Sequence, residues 1–265
     1  MNTQDFVKTI KDFSMANRRD LEWRRQITPY RVVVSEIMLQ QTQVARVALK
    51  FPRFIDAFPS FESLAAAPPA AVLAQWQGMG YNRRGLYLKK IAEKTVQEFD
   101  GTLPNDPTIL GTFPGIGPAT ARSIAAFAFN KPVVFIETNI RRVFIHFFFE
   151  DRAGIDDKEL MPYVEETLDT KNPREWYYAL MDYGSALAKT VPNPNRRSKH
   201  YTKQSAFEGS ARRIRGIILR TLLQEKQMPK NKLKVICGDD RFDAIVATLI
   251  TEGFIREDDR MYFII

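Results

Sequence analysis

Residues 113–129 read FPGIGPATARSIAAFAF. Pro114 and Gly115 end one helix, Gly117 leaves the backbone free for a tight turn, and Pro118 suits the first position of a second helix. That second helix carries a face of small side chains, Ala119, Ala121, Ala125 and Ala126, against which another element can pack closely. The spacing predicts a helix, a hairpin and a helix. Hairpin amides and the N-terminus of the second helix then point outward together, a site for a phosphate group, with a monovalent cation expected to bridge at residues 113–118. Ordinary helical hairpins use glycine too. The setting between small-residue helices in a basic chain favours DNA backbone contact through Gly115, Gly117, Ala119 and Thr120.

Two other stretches carry candidate chemistry. In RVVVSEIMLQQTQVAR, residues 31–46, Glu36 is the only charged side chain between Arg31 and Arg46. A carboxyl group facing an apolar pocket has its charged form disfavoured, so it holds a proton near neutral pH and suits a general acid; the alternative is a solvated helix charge. In VVFIETNIRRVFIHFFF, residues 133–149, Glu137 stands where an apolar run gives way to Thr138 and Asn139. It can complement a helix dipole there, or serve as a second carboxylate in one cleft with Glu36. Cleavage of a sugar–base bond passes through an oxocarbenium-like state. It calls for one acid at the leaving group and one anion beneath the sugar.

The chain resembles the helix-hairpin-helix DNA glycosylases, and within them the MutY-type adenine glycosylases, over roughly residues 5 to 190. The matching segments are RRDLEW (Arg18 to Trp23), TPYRVVVSEIMLQQTQV (Thr28 to Val44), WQGMGY (Trp76 to Tyr81), FPGIGPATA (Phe113 to Ala121), IETNIRRV (Ile136 to Val143) and ALMDYGS (Ala179 to Ser185). The resemblance implies a mostly α glycosylase fold and a monofunctional DNA N-glycosylase of base-excision repair, with adenine in a mismatch the first substrate and other modified bases behind it. It implies that Glu36 protonates the departing base and that Gln40 and Gln41 lie at the duplex, with Gln41 entering the stack and Tyr81 wedged beside it. Arg18 would approach the flipped base. Turning a base out costs about a few kcal/mol, and side chains that fill the gap help to hold it out.

This chain departs from the family pattern in four ways. Glu137 replaces the usual aspartate and reaches one carbon–carbon bond further. Tyr178 stands where adenine enzymes carry an amide, and a phenol cannot copy an amide's paired donor and acceptor. The family's iron–sulfur cluster needs four cysteines after the ALMDYGS-like segment, whereas this chain has one cysteine in all, Cys237, so no such cluster is expected. The family's further domain, which inspects an oxidised guanine, is not expected in this sequence. Where lyase members of the family carry lysine in the hairpin this chain has Ala119, so no Schiff base forms by that route and lyase activity is not expected.

Three domains are expected: a glycosylase domain at 1–190, a basic linker at 191–206 in place of the cluster loop, and a small winged-helix-like domain at 207–265. Between Lys189 and Lys230 there are 11 Lys or Arg and 2 Asp or Glu, a net +9 that exceeds the +8 of the whole chain. Phosphate contact is expected from Arg196, Arg197 and Lys199 of the linker and from Arg212 and Arg213 beyond it. In the last domain Ile214, Ile217, Ile218 and Leu222 form one helical stripe and Phe242, Ile245, Val246 and Leu249 another, while GFIREDDRMYFII reads as two strands around an acidic turn. Asp239, Asp240 and Asp243 crowd the helix that would normally enter a groove.

The broad bounds fit this reading. At 265 residues and 45% hydrophobic content, with a pI near 9.5, the chain can bury one or two cores and favours an anionic partner. No apolar stretch reaches membrane-spanning length and the polar start lacks a secretion signal. The expected protein is a monomer in the cytoplasm, at the nucleoid, with duplex DNA carrying a damaged or mismatched base as partner. Two rivals stand: a non-catalytic lesion or DNA-structure binder on a glycosylase scaffold, and a winged-helix regulator with a ligand-sensing helical domain.

Overall fold

The computed structural model of the chain describes residues 1–203 and 206–265; residues 204 and 205, part of the expected basic linker, lie outside the described residues. The helices are α1 (Thr3–Asn17), α2 (Glu22–Arg25), α3 (Pro29–Leu39), α4 (Val44–Ala57), α5 (Phe61–Ala66), α6 (Pro69–Trp76), α7 (Arg83–Phe99) and α8 (Pro107–Leu110). They continue with α9 (Pro118–Phe129), α10 (Thr138–Phe148), α11 (Asp157–Glu166), α12 (Pro173–Thr190), α13 (Ala211–Glu225), α14 (Lys230–Cys237) and α15 (Phe242–Thr251). Strands β1 (Gln227–Pro229), β2 (Ile255–Asp258) and β3 (Met261–Ile264) lie near the C-terminus. The fold is mostly helical with a small three-stranded sheet, as expected. No helix among the described residues is long and apolar enough to cross a membrane.

Two compact units emerge. The first comprises Met1–Glu36, Pro104–Thr112 and Ile116–Lys203. Its core forms where α12 meets α1 and α10, and Phe6 of α1 lies against the rings of Phe144, Phe147, Phe148 and Trp176. The closest approach of α10 and α12 is at Gly184, where a Cβ would stand 2.6 Å from the Asn139 carbonyl oxygen. Only glycine lets the two helices come so near. α3 is buried almost all round through Val32, Val33, Val34, Ile37 and Met38, which explains its unbroken apolar run: no face of it is available for solvated charge.

The second unit comprises Ile37–Leu103, Phe113–Gly115 and the described residues from 206 onward. α5 packs on α7, and α4 on α6. The last part of the chain runs α13, β1, α14, α15, β2, β3, with the antiparallel sheet in the order β1-β3-β2. That is the winged-helix sequence of elements. Met228 of β1 and Glu257 of β2 flank Tyr262 of β3 from either side. The sequence reading had two of these strands; β1, three residues ending in proline, is too short to show an alternating pattern. Both expected helical stripes are inward. Ile214, Ile218, Leu222, Phe242, Val246 and Leu249 form one apolar cluster, and Leu73 of α6 and Leu86 of α7 belong to it.

Leu73 therefore ties α6 to the C-terminal core. Leu73→Ala is expected to lower stability by about 2–5 kcal/mol, measured as a fall in the urea midpoint; an unchanged midpoint would contradict this packing.

Candidate active site

Glu36 closes the first of the three segments of the first unit, near the end of α3, between the buried side chains of Ser35 and Ile37. Its Oε2 lies 2.5 Å from the hydroxyl of Ser123 on α9, and that hydroxyl also lies 3.0 Å from the Thr120 carbonyl. A serine has one proton to give. With Glu36 ionised, Ser123 donates to the carboxylate; with Glu36 protonated, the acid can donate to Ser123 and Ser123 to Thr120. Oε1 takes no hydrogen bond among the described residues, which leaves it to face a ligand. Burial pushes the Glu36 carboxyl up to about 7; the Ser123 hydrogen bond pulls it down, the Glu137 charge raises it further and the Arg24 charge lowers it. The charge of Glu137 is thus felt at Glu36.

Glu137 is the N-cap of α10. Its Oε1 accepts from the Asn139 amide at 2.7 Å and the Ile140 amide at 3.1 Å, and its Oε2 accepts from Asn139 Nδ2 at 3.5 Å. Aspartate usually occupies such a cap; here the longer glutamate folds back onto the same amides, which takes up the extra methylene. Burial raises its carboxyl, opposed by these hydrogen bonds and by Arg142. Arg142 donates to Asn139 Oδ1 at 2.7 Å and to the Gly184 carbonyl at 2.8 Å. The close approach at Gly184 thus fixes the network that holds Glu137. Three donors aimed at one carboxylate favour its anionic form, whereas a single hydroxyl serves Glu36. Burial nevertheless raises both carboxyls above their ordinary range.

Behind the acids sits a buried ion cluster. Asp182 accepts from Arg24 Nη1 at 2.9 Å, from Arg19 Nε at 2.6 Å and from the Arg19 amide at 3.0 Å. The Arg24 guanidinium lies 4.1 Å from the centroid of the Tyr178 ring, and the ring of Phe127 stacks on Tyr178 at 4.8 Å and 5°. Tyr178 is buried. Its phenol is pushed up to about 12, first by burial, with Arg24 lowering it and Glu36 raising it, so it stays neutral beside the acid. Arg18 is exposed and paired with Glu175 at 2.9 Å.

The turns that carry the expected duplex-facing residues lie in the second unit. Gln41 and Tyr81 both adopt left-handed backbone, φ 52° and 48°, a strained state for residues with a Cβ. Arg84 explains how they persist. Its buried guanidinium donates to the carbonyls of Ile37, Met38 and Gln40 through Nη1, and to Thr42 Oγ1 and the carbonyls of Met79 and Gly80 through Nη2. One side chain caps the end of α3 and clamps both turns. Gln40 Nε2 reaches the Gly115 carbonyl at 3.3 Å. In the hairpin Gly115 has φ 76° and a Cβ there would strike the Tyr87 ring, whereas around Gly117 there is open space. α9 starts at Gly117 with no side-chain cap, and Gly115, Gly117 and Ala119 are exposed, with Thr120 half-buried.

This arrangement coincides with one family. A model of the HhH-GPD superfamily of base excision DNA repair proteins matches residues 34–169. The chain belongs to that superfamily. An adenine DNA glycosylase of Mycolicibacterium smegmatis is 44% identical over 264 residues, covering 91% of this chain and 89% of that protein. The adenine DNA glycosylase of Buchnera aphidicola subsp. Baizongia pistaciae is 33% identical over 201 residues, 74% of this chain, and the chain spans just 56% of that relative's length. Among solved structures a thermostable thymine-DNA glycosylase superposes with a TM-score of 0.63 at 25% identity, over 69% of this chain and 86% of that one.

The family resemblance implies an iron–sulfur cluster after α12, and the residues there do not fit one. They offer no thiol; the chain's one cysteine, Cys237, is buried in α14. Instead a short 3-10 helix, Pro194–Arg197, packs on α10. Asn195 donates to the Thr138 carbonyl at 3.0 Å, and Arg197 is turned onto the end of α10, donating to the carbonyls of Ile145, Phe149 and Glu150. Arg196 is exposed, Lys199 lies 3.9 Å from Asp156, and Arg213 pairs with Glu208. Among the described residues no three His, Cys, Asp or Glu side chains are grouped as metal ligands.

Sequence reasoning missed Ser123, Arg24, Asp182, Asn139, Arg142 and Arg84 as parts of the site. Ser123 left one signal, a hydroxyl interrupting the alanine-rich inner face of α9. Arg84 left none, since an arginine in a basic helix reads as surface.

Because Glu36 holds its proton more tightly folded than unfolded, its contribution to stability is fully present below the ordinary carboxylate range and is lost as pH rises through about 7. Glu36→Gln is therefore expected to be more stable than the parent at pH 8, by on the order of 2 kcal/mol, with the gain vanishing towards pH 4. Thermal melts at both pH values check it; equal melting temperatures at pH 8 would contradict the burial argument.

Proposed function

We propose that the protein is a monofunctional DNA N-glycosylase that releases a mispaired or damaged base from duplex DNA, with adenine in a mismatch the first candidate. One observation carries this reading: the Glu36 carboxyl, pushed up to about 7 by burial and hydrogen-bonded to Ser123, in the same unit as Glu137, whose carboxylate accepts from three donors. Glu36, protonated, gives its proton to the departing base as the sugar–base bond breaks and its electron pair leaves with the base. The positive charge that develops on the sugar is stabilised by the Glu137 carboxylate. Water then adds to the sugar carbon and returns a proton to Glu36, leaving an abasic site. Gln41 and Tyr81, held in strained turns by Arg84, are suited to fill the gap left by the extruded nucleotide. The uncapped start of α9 and the exposed hairpin glycines are suited to a DNA phosphate.

The names of the curated relatives support adenine. Tyr178 supports a wider search, because a neutral phenol offers one donor where an amide offers a donor and an acceptor, and the superposed thymine-DNA glycosylase acts on a different base by its name.

Glu36→Gln is expected to lower base release at least about a hundredfold while leaving duplex binding in place; release at the parental rate would sink the catalytic assignment. In the parent, release should fall as pH rises through about 7, where Glu36 loses its proton. Ser123→Ala removes a hydrogen bond that stabilises the ionised form, so that alkaline limb should move to higher pH. On a panel of duplexes, each with one mismatched or modified base, strand breaks should appear only after alkali, since Ala119 offers no amine. Breaks before alkali would overturn the monofunctional reading.

A further inference from the structure

Tyr81 stands in the connection between α6 and α7, where three residues adopt left-handed backbone: Gly78 at φ 84°, Gly80 at 70° and Tyr81 at 48°. Groups close in sequence hold that backbone. Trp76 Nε1 donates to the Gly80 carbonyl at 3.1 Å, and Arg84 donates to the carbonyls of Met79 and Gly80. Neither bond reaches the phenol hydroxyl. That group is met from 131 positions along the chain: Arg212 of α13 donates to it through Nη1 at 2.8 Å. The Arg212 guanidinium also lies 5.4 Å from the centre of the Tyr81 ring, and that of Arg84 lies 5.5 Å from it.

The packing of α13 explains how Arg212 comes to be there. Leu73, before the turn, and Leu86, after it, both belong to the apolar cluster of Ile214 and Ile218. Arg83, at the start of α7, pairs with Glu252, and Glu252 also pairs with Arg215 of α13. All of these residues lie in the second unit. The turn is thus fastened to the C-terminal domain on either side, and Arg212 extends that attachment to the tip of the Tyr81 side chain. A charged donor on a phenol oxygen makes a stronger bond than a neutral one, and a cation near the ring adds to it.

We propose that Arg212 is a positioning residue for Tyr81, through which the C-terminal domain pre-orders the phenol before DNA arrives. The inference rests on the glycosylase reading, in which Tyr81 fills part of the gap left by the extruded nucleotide. A side chain that becomes ordered only on entering a base stack loses rotamer freedom at that moment. One already held by a packed helix loses less, so the extruded state is more populated with Arg212 than without it. Binding of an undamaged duplex, in which no nucleotide is extruded, does not depend on the pair. This task differs from the phosphate contact expected of Arg212 from the basic run in which it lies.

The test uses the full chain. Arg212→Met removes the donor and keeps a long side chain; Tyr81→Phe keeps the ring and removes the acceptor. Extrusion is read from the fluorescence of 2-aminopurine at the target position of a duplex, and base release from single turnovers on the duplex panel. Each variant should lower extrusion by about three- to tenfold, and the double variant should be no worse than the worse single one, because both break one pair. Arg212→Lys, which restores a charged donor, should recover part of the loss. Affinity for undamaged duplex should stay within about twofold of the parent, with an unchanged salt slope. Losses that multiply in the double variant overturn the proposal, as does a salt slope lower by about one counterion in Arg212→Met, the mark of a phosphate contact. Tyr81→Phe leaves α13 intact, so parental extrusion in that variant overturns it however Arg212→Met folds. Lowered extrusion in both variants with no base released by the parent from any duplex would sink the catalytic reading alone; base release by the parent with extrusion unchanged in both variants would sink this one alone.

Discussion

Removing a carboxyl group from water at the end of α3 is the constraint on which the site depends. A buried acid is costly as an anion, and the chain meets that cost by letting Glu36 keep its proton rather than by supplying a cation in direct contact. Four elements converge to make this work. α3 brings the acid inside an apolar helix, α9 brings the hydroxyl of Ser123, α10 brings Glu137 as its own N-cap, and α12 brings Tyr178 and Asp182. Asp182 in turn holds Arg24, whose charge limits how far the Glu36 carboxyl rises. Replacing Ser123, Glu137 or Arg24 is expected to alter the proton affinity of Glu36.

Rigidity in the second unit has a different source. Left-handed backbone at Gln41 and Tyr81 stores strain, on the order of 1–3 kcal/mol for each, and such strain survives only where the surroundings over-determine it. A single buried guanidinium does so here. Arg84 collects the carbonyls that the end of α3 leaves without partners and the carbonyls of the two turns, and the resulting clamp holds both turns, at residues 40–43 and at the glycine-containing 78–82, in fixed positions. Desolvation lowers the Arg84 guanidinium to about 10, so it remains charged, and its hydrogen bonds remain charge-assisted, at neutral pH.

Hydrogen bonds also take the place of inorganic ligation after α12. The Pro194–Arg197 turn is fastened by Asn195 and Arg197 to the two ends of α10, the helix whose N-terminus holds Glu137. A metal cluster at that place would supply rigidity; two side chains and a buried proline supply it here. Near the C-terminus the acidic residues Asp239 and Asp243 are engaged locally by Arg241 and Lys234.

Much of this was legible in the chain. The hairpin at 113–118, the apolar helix around Glu36, the capping position of Glu137 and the two stripes of the C-terminal domain are local patterns. Backbone preference and helical periodicity write them directly into sequence. The one strand missed, β1, is too short to have a period. What only the tertiary structure decided is how residues far apart in sequence meet. That Ser123 faces Glu36, that Arg24 lies over Tyr178 and that Arg84 closes two turns depend on which helices pack together. An arginine bonded to carbonyl oxygens has the same local sequence signature as one in solvent. Local sequence determines where acids, caps and turns can be; the desolvation and charge that tune them come from neighbours that only folding supplies.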